Sequence, residues 1–271
     1  MAGNVAGSTT LGELTMKTTL LGCAAVSLMS VVAFGADLAV PPAPPVVQPF
    51  AWASCYGGVH VGGGAFRRDV TDPVQLAQDS VLGAGTTVGV TTTNINATGF
   101  LAGAQIGCDY QFYSHLVLGV EGAVSGSTMK SSTTVAFPMG FPGDQGSVNA
   151  KTDFLPSITA RLGVALDRVL IYAKGGVAWS GDETNVIGSV AGTPFSFQGL
   201  DTRTGFTAGG GVDWAFSGPW SVNVEYDYYG FGHGNVFMTD SVNGFTGLVD
   251  TKQSIQVVKV GLNFHMWSTD Q

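Results

Sequence analysis

The sequence predicts an all-β chain that folds as one eight-stranded antiparallel up-and-down transmembrane β-barrel, with short periplasmic turns and four long extracellular loops. Three observations predict this fold. Every second connection between segments is long, and each segment has one apolar face and one face that mixes charges with glycine. Segments with a period of two residues recur eight times, roughly at 53–66, 99–112, 116–127, 153–166, 169–180, 203–216, 220–230 and 254–266.

Composition narrows the function classes. Only 11% of the 271 residues are charged and 40 are glycine, which is too apolar for a disordered chain and too glycine-rich for a helical bundle. The formal net charge of −8 disfavours a nucleic-acid partner, because nucleic acids bind basic surfaces. The cysteines and histidines form no zinc-like cluster, and no serine, histidine and acid have the spacing of a hydrolase. We therefore expect no enzyme activity, no catalytic residues, no metal and no cofactor.

The N-terminal part has the composition of an export leader. MKTTLLGCAAVSLMSVVAFGAD carries Lys17, then an apolar run, then a small-x-small cleavage site, which predicts a Sec signal peptide cut before Ala36 or Asp37. Residues 1–35 are thus leader and signal, with Met1 and Met16 both open as the start. A membrane anchor is the alternative, because the run is not far short of about 20 residues. The small polar residues inside the run and the cleavage site favour the signal peptide.

The remaining boundaries follow from composition. Residues 36–51 are proline-rich and predict an extended periplasmic tether, because proline fixes φ and favours polyproline II. The barrel is expected to occupy residues 52–267, and residues 268–271 form a C-terminal tail.

Segment and connection lengths favour a membrane barrel. Each segment has at least the 9–11 residues that a tilted strand needs to cross a bilayer. Alternate connections fall on opposite rims, so tight turns on one rim and long loops on the other indicate a transmembrane barrel. The tight connections are Tyr113-Ser114-His115, Asp167-Arg168 and Ser217-Gly218-Pro219, and the long ones, expected to be structureless, are 67–98, 128–152, 181–202 and 231–253.

The hairpin around Ser217-Gly218-Pro219 shows why the two faces differ. One face of RTGFTAGGGVDWAFSGPWSVNVEYDYYGFG is apolar throughout, whereas the other carries carboxylates and glycine. An outward face in lipid must be apolar, and a narrow lumen needs small residues wherever a long side chain crosses from another strand. A secreted ligand-binding barrel is the competing interpretation, with its apolar face inside. Aromatic residues at the strand ends and the charged glycine face favour the membrane barrel.

The inward face carries the candidate functional residues. We predict a lumen network in which these charges pair with one another, because buried charges must be paired. The alternative is a narrow aqueous path, and five acids against three bases would make it prefer cations. The residues are Asp109, Glu121, Arg161, Lys174, Asp213, Glu225, Asp227 and Lys259.

Outward aromatic residues gather at strand ends, as they do in interfacial girdles. The predicted girdle comprises Phe112, Trp179, Trp214, Phe216, Trp220, Tyr226 and Tyr228.

Cys55 and Cys108 also face outward by parity, toward the periplasmic rim of neighbouring strands. Two independent lipid-facing thiols are the favoured interpretation, because a two-residue register offset would defeat a bridge, and a disulfide formed in the periplasm is the alternative. His233, in FGHGNVFM, is the one loop histidine that could contact a heme.

The chain resembles the small outer-membrane β-barrels of alphaproteobacteria, the opacity-protein-like and RopB-like family. The resemblance covers Trp52 to about Met266 and rests on these runs taken together: ADL after the signal, WASCYGGVHVGGGAF, GAQIGCDYQF, LGVEGAV, ITARLGVALDRVLIYAKGGVAW, RTGFTAGGGVDWAFSGPWSVNVEYDYYGFG and VKVGLNF. It implies location in the outer membrane of a Gram-negative cell. Members are structural, porin-like, surface-antigenic or hemin-binding.

The resemblance therefore implies a structural or surface-exposed role in the cell envelope. The alternatives are a narrow cation-preferring porin and a surface protein that binds hemin or a host component. The implied partners are outer-membrane lipids, lipopolysaccharide, and the export and barrel-assembly machinery; the oligomeric state stays open. Three departures stand out: Cys55 and Cys108 replace the usual aromatics, HMWSTDQ follows Phe264 so that the terminal signal is Phe264 or Trp267, and no peptidoglycan-binding domain follows.

Overall fold

A computed structural model describes residues 50–71, 73–82, 92–113, 115–136 and 144–266. Eight antiparallel strands pair in chain order and close into a barrel, because β1 pairs with both β2 and β8. No helix in these ranges is long and apolar enough to cross a membrane. The predicted signal peptide, the tether up to residue 49, and residues 267–271 lie outside the described residues. The elements are β1 (Ser54–Thr71), α1 (Pro73–Leu82), β2 (Thr92–Phe112), β3 (Leu116–Ala136), β4 (Gln145–Leu166), β5 (Val169–Val190), β6 (Thr193–Ser217), β7 (Trp220–Asp240) and β8 (Thr246–His265).

The strands are longer than the sequence predicted. They run for 18 to 25 residues, about twice the 9–11 needed to cross a bilayer. The expectation of structureless long loops is wrong, because most of the four segments continue the sheet. The clearest case is 181–202, where β5 and β6 stay paired up to a two-residue turn. Ala191 and Gly192 both have positive φ, 51° and 75°, as a tight hairpin turn requires.

A short helix, α1, lies in the first long connection, where no helical period was recognised. It begins at Pro73, whose fixed φ suits the first helical position. Leu76 and Ala77 are buried and join an apolar cluster inside the extracellular half of the barrel. One apolar turn is too short to give a clear 3.6-residue signal, which is why the sequence did not reveal it.

In the periplasmic half of the barrel the predicted alternation is confirmed. Ile158, Leu162 and Val164 of β4 are exposed on the outer wall, whereas Arg161 and Gly163 between them are buried. The inward glycines make room for long side chains, as expected. A β-carbon on Gly211 would lie 2.8 Å from the Tyr172 hydroxyl. The glycines on the lumen face are therefore needed for space.

The interior is filled in layers along the barrel axis. The periplasmic end holds a small apolar cluster that includes Val117, Leu170 and Ala215. The charged layer lies above it in the membrane-spanning part. A larger apolar cluster fills the extracellular half, from Met129 and Ile255 up to α1. The site of interest is therefore a polar layer enclosed between two apolar ones.

Candidate functional site

The strand period places all eight predicted lumen charges on the inner face, and each is at most 7% exposed. The centre of the network is Lys174 on β5. Its Nζ lies 2.9 Å from Glu121 Oε1 and 2.5 Å from Glu225 Oε1. Lys259 binds the same Glu225 carboxylate at 2.7 Å and Asp227 at 2.6 Å. Two lysines thus hold three carboxylates across the lumen.

Arg161 connects the network to two aromatic rings. Its guanidinium lies over Tyr172, 4.0 Å from the ring centroid, and it donates a hydrogen bond to the Tyr56 hydroxyl. Tyr56 donates in turn to Glu121 at 2.7 Å, and Arg161 lies 3.3 Å from the same carboxylate. Asp109 is 3.7 Å from Arg161. Cation–π contact, the Tyr56 hydrogen bond and the two ion pairs compensate only part of the burial of this cation, because Nε and Nη2 make no hydrogen bond to the described residues.

The ion-pair partners of Lys174 are not on the strands adjacent to its own. Lys174 lies on the strand before that of Asp213, yet its carboxylate partners come from β3 and β7. Asp213 accepts a hydrogen bond from Asn263 at 3.3 Å. Side chains cross the narrow lumen, so neighbours along the sheet are not the only available partners.

A second buried ionic cluster, missed by the sequence analysis, lies in the extracellular half. Arg68 Nη2 is 2.7 Å from Asp182 Oδ1, with both side chains at most 2% exposed. Arg68 also donates to Gln253 and Thr184, and Arg203 Nε lies 3.9 Å from Asp182. Arg68, Asp182, Thr184 and Gln253 stand in segments interpreted as loops, so no inward face was assigned to them, and Arg203 is the first residue of the predicted segment 203–216 and was not included among its inward charges.

The periplasmic mouth is closed by the residues just before β1. Trp52 is fully buried; its backbone amide donates to Gln111 Oε1 and its indole donates to the Asp167 carbonyl, both at 3.0 Å. Phe50, which the sequence placed in the tether, packs edge-on against Trp52 and His265. The end of the predicted tether therefore packs into the barrel.

The extracellular mouth is closed by α1 and held by Asp240 at the end of β7. The Asp240 carboxylate accepts hydrogen bonds from Ser80 of α1 at 2.6 Å, from the Ser196 amide at 3.0 Å and from the Asn243 side chain at 2.7 Å. Burial raises the pKa of this carboxyl, but the hydrogen bonds outweigh it and lower the pKa to about 2. Asp240 thus joins the helix to β6 and to the β7–β8 turn as an anion.

The predicted girdle residues lie on the outer wall. Trp214, Phe216 and Trp220 are exposed near the periplasmic turns, where Phe112 also lies. Trp220 packs against Phe264, a neighbour not included in the predicted girdle. The second group lies toward the extracellular side and comprises Trp179, Tyr226 and Tyr228, together with the unpredicted Phe100, Phe154 and Phe206.

The structure also places the remaining candidates. Cys55 and Cys108 are direct register partners on β1 and β2, and their sulfurs form a disulfide with a Cα–Cα distance of 3.9 Å. His233 points outward and contacts Asp250 at 3.1 Å. Phe231 and Met238 point into the barrel, so they form no apolar pocket around His233.

Comparison with known proteins agrees with this geometry. Residues 51–264 match the model of the outer membrane protein beta-barrel domain. The chain belongs to this outer-membrane β-barrel family, and it is an outer-membrane protein. The 31 kDa outer-membrane immunogenic protein of Brucella melitensis is 28% identical over 257 residues, covering 92% of this chain and 99% of that one. The 25 kDa outer-membrane immunogenic protein of Brucella abortus is 27% identical over 260 residues, covering 92% and 98%.

Solved outer-membrane barrels are more distant. OprG from Pseudomonas aeruginosa superposes with a TM-score of 0.42 at 13% identity, covering 80% of this chain and all of that one. The protease OmpT from Escherichia coli gives a TM-score of 0.47 at 10% identity, covering 82% and 99%. The family assignment therefore rests on the sequence match and the closed eight-stranded barrel.

Proposed function

We propose that this outer-membrane barrel is a closed, non-catalytic envelope protein that displays a rigid extracellular surface. The single observation that carries the proposal is the filled interior. Trp52 lies in one mouth, α1 lies at the other, and the paired charges between them are buried. Charges that are consumed in mutual ion pairs do not offer free sites to a passing ion.

The rigid surface follows from the length of the strands. About ten residues per strand extend beyond the lipid-crossing part, which corresponds to roughly 25 Å of sheet above the bilayer for strands tilted at about 40°. An apolar interior and the Arg68–Asp182 cluster support this extension from within. The described residues therefore present mainly a paired β-wall to the environment.

The two alternatives have less support. A narrow cation-preferring porin requires the eight lumen charges to line water, whereas seven of them lie in mutual ion pairs and Asp213 accepts a hydrogen bond from Asn263. A hemin site at His233 requires apolar neighbours, whereas Phe231 and Met238 lie inside the barrel and of the three predicted neighbours Phe237 alone is on the outer wall. The buried histidines His60 and His265 hydrogen-bond to hydroxyls and an amide, which supports a non-enzymatic role.

The finer features of this role are also part of the proposal. The mature chain begins at Ala36 or Asp37 and is tethered through the proline-rich segment. The export machinery recognises the signal peptide, and the barrel-assembly machinery recognises the terminal strand β8, which ends at His265 with Phe264 facing lipid. Lipopolysaccharide surrounds the extracellular part of the wall, because the protein lies in the outer membrane.

Single-channel conductance of the refolded mature chain in planar bilayers tests the proposal. Folding is verified first by heat-modifiable gel mobility. A folded barrel without conductance steps is the expected result. Discrete, cation-preferring steps would refute the closed lumen and show that the charge network lines a path.

A further inference from the structure

A recess of about 440 Å³ opens on the outer wall across β6, β7, β8 and β1. It lies at a break in the β7–β8 ladder, where the register shifts between Gly230 and His233. Gly232 within this bulge has a φ of 57° and is exposed, with no atom within 4 Å of where a β-carbon would stand. The bulge therefore removes side-chain volume from the wall.

The recess has an aromatic lower side. Phe206 and Tyr228 line it, and their rings pack with centroids 5.9 Å apart. Below them the outward residues of β7 and β8 are apolar, including Val224 and Val258. This side of the recess therefore lies at the outer edge of the hydrocarbon layer, where aromatic girdles occur.

The other side of the recess is cationic. Pairing across the sheet aligns Gly230 with Ser254 and Ser254 with Arg67, and Lys252 lies one step further from the membrane. The Arg67 side chain is 64% exposed. Asp69 lies 3.5 Å from Arg67 and is the register partner of Lys252, so one acid accompanies two cations. The residues that line the recess therefore carry a net positive charge, and the next acid along β8, Asp250, contacts His233.

We propose that this recess binds the phosphorylated headgroup of an outer-leaflet lipid. Arg67 and Lys252 contact the phosphate, and the first acyl carbons lie against Phe206 and Tyr228. A membrane lipid fits better than a free anion, because the recess joins cations to an apolar surface at the depth of the headgroups. The inference rests on the proposed placement of lipopolysaccharide around this wall.

Native mass spectrometry of the refolded mature protein in non-ionic detergent tests the inference, with diphosphorylated lipid A and its phosphate-free form as probes. Wild-type protein should retain the phosphorylated lipid preferentially. R67Q/K252Q should weaken that binding about 25-fold, at about fivefold for each charge near a membrane surface. S254F, which fills the floor without changing charge, should weaken it about tenfold, the equivalent of about 1.4 kcal/mol of lost contact. Inorganic phosphate at millimolar concentration should not displace the lipid.

The matched control is K130Q/K151Q, which removes two exposed cations that face each other on β3 and β4, away from the recess. It should change lipid binding less than twofold. Equal losses in both double variants would show non-specific attraction and overturn the site. So would equal binding of phosphate-free lipid, or displacement by inorganic phosphate. Heat-modifiable mobility and the absence of conductance test the closed barrel independently of lipid binding, so the two proposals can fail separately. If R67Q/K252Q does not refold, the lipid affinity of S254F tests the site.

Discussion

Replacing Lys174 by methionine should destabilise the barrel by about 3–5 kcal/mol, the usual cost of breaking a buried ion pair from one side. The Lys174 side chain is 2% exposed and contacts Glu121, Glu225 and Asp227. After the change Glu121 keeps Arg161 at 3.3 Å, and Glu225 keeps Lys259 at 2.7 Å. These remaining partners place the expected cost at the lower end of that range.

The free energy of unfolding is measured by urea titration of the refolded protein in detergent micelles, followed by tryptophan fluorescence and gel mobility. K130M is the matched control, because Lys130 is exposed on the outer wall of β3. That change should cost less than about 0.5 kcal/mol. Both variants lose one positive charge, so the difference between them reports burial and pairing.

A double-mutant cycle separates pairing from burial. E225Q alone leaves Lys174 with Glu121 and leaves Lys259 with Asp227. The combined loss in K174M/E225Q should be smaller than the sum of the single losses by about 1–3 kcal/mol. Additive losses, or a K174M cost within about 1 kcal/mol of K130M, would refute the view that this network holds the lumen closed.

Three further predictions concern the two ends of the barrel. In protein isolated without reductant, Cys55 and Cys108 should be unreactive to alkylation even after unfolding, and two alkylatable thiols would contradict the disulfide. The free energy of unfolding of C55S/C108S should be lower by about 4 kcal/mol, because the disulfide closes a loop with a sequence separation of 53. W52A should leave the barrel folded and heat-modifiable but destabilised by about 3–5 kcal/mol, and an unchanged urea midpoint would show that Trp52 does not close the mouth. D240N should expose α1 to proteinase K at neutral pH. Because the pKa of Asp240 is lowered to about 2, its contribution to stability is complete above about pH 4 and is lost as the pH falls from about 4 to about 2. In the wild type, α1 should therefore become sensitive to pepsin over that range. Equal protease sensitivity of D240N and wild type at neutral pH would contradict the role of the carboxylate.

The sequence predicted correctly the features that depend on strand alternation alone, namely which face of a strand each residue occupies. A period of two fixes which side of a strand Glu225 and Lys259 occupy, and consecutive strands made them natural partners, as the register shows. It was not informative about Lys174 and Glu121, which lie two strands apart. That contact depends on strand stagger and on side-chain length across the lumen, and neither is encoded in local alternation.

The extracellular extension was missed for a different physical reason. In the membrane-spanning half of β5 and β6 the apolar residues face outward, as Val177 and Phe206 do. Further along the same strands the apolar residues Val186 and Phe197 face inward, and the outward residues are mostly polar, with Ile187 and Leu200 as exposed apolar exceptions. The solvent changes from lipid to water, so the pattern changes phase within one strand. A search for one continuous apolar face ends at that change and interprets the rest as loop.

This phase change locates the outer boundary of the membrane from the protein alone. On β8, Val258 is exposed to lipid, whereas Val257 and Ile255 already fill the extracellular core and Lys252 faces out. Below the boundary, an outward charge would lie in hydrocarbon, which is unfavourable. Above it, an outward apolar side chain stays in contact with water and gains no free energy from burial. The boundary passes through the aromatic side of the recess at Tyr228. The bulge therefore lies where apolar and cationic side chains can contact one lipid molecule at once.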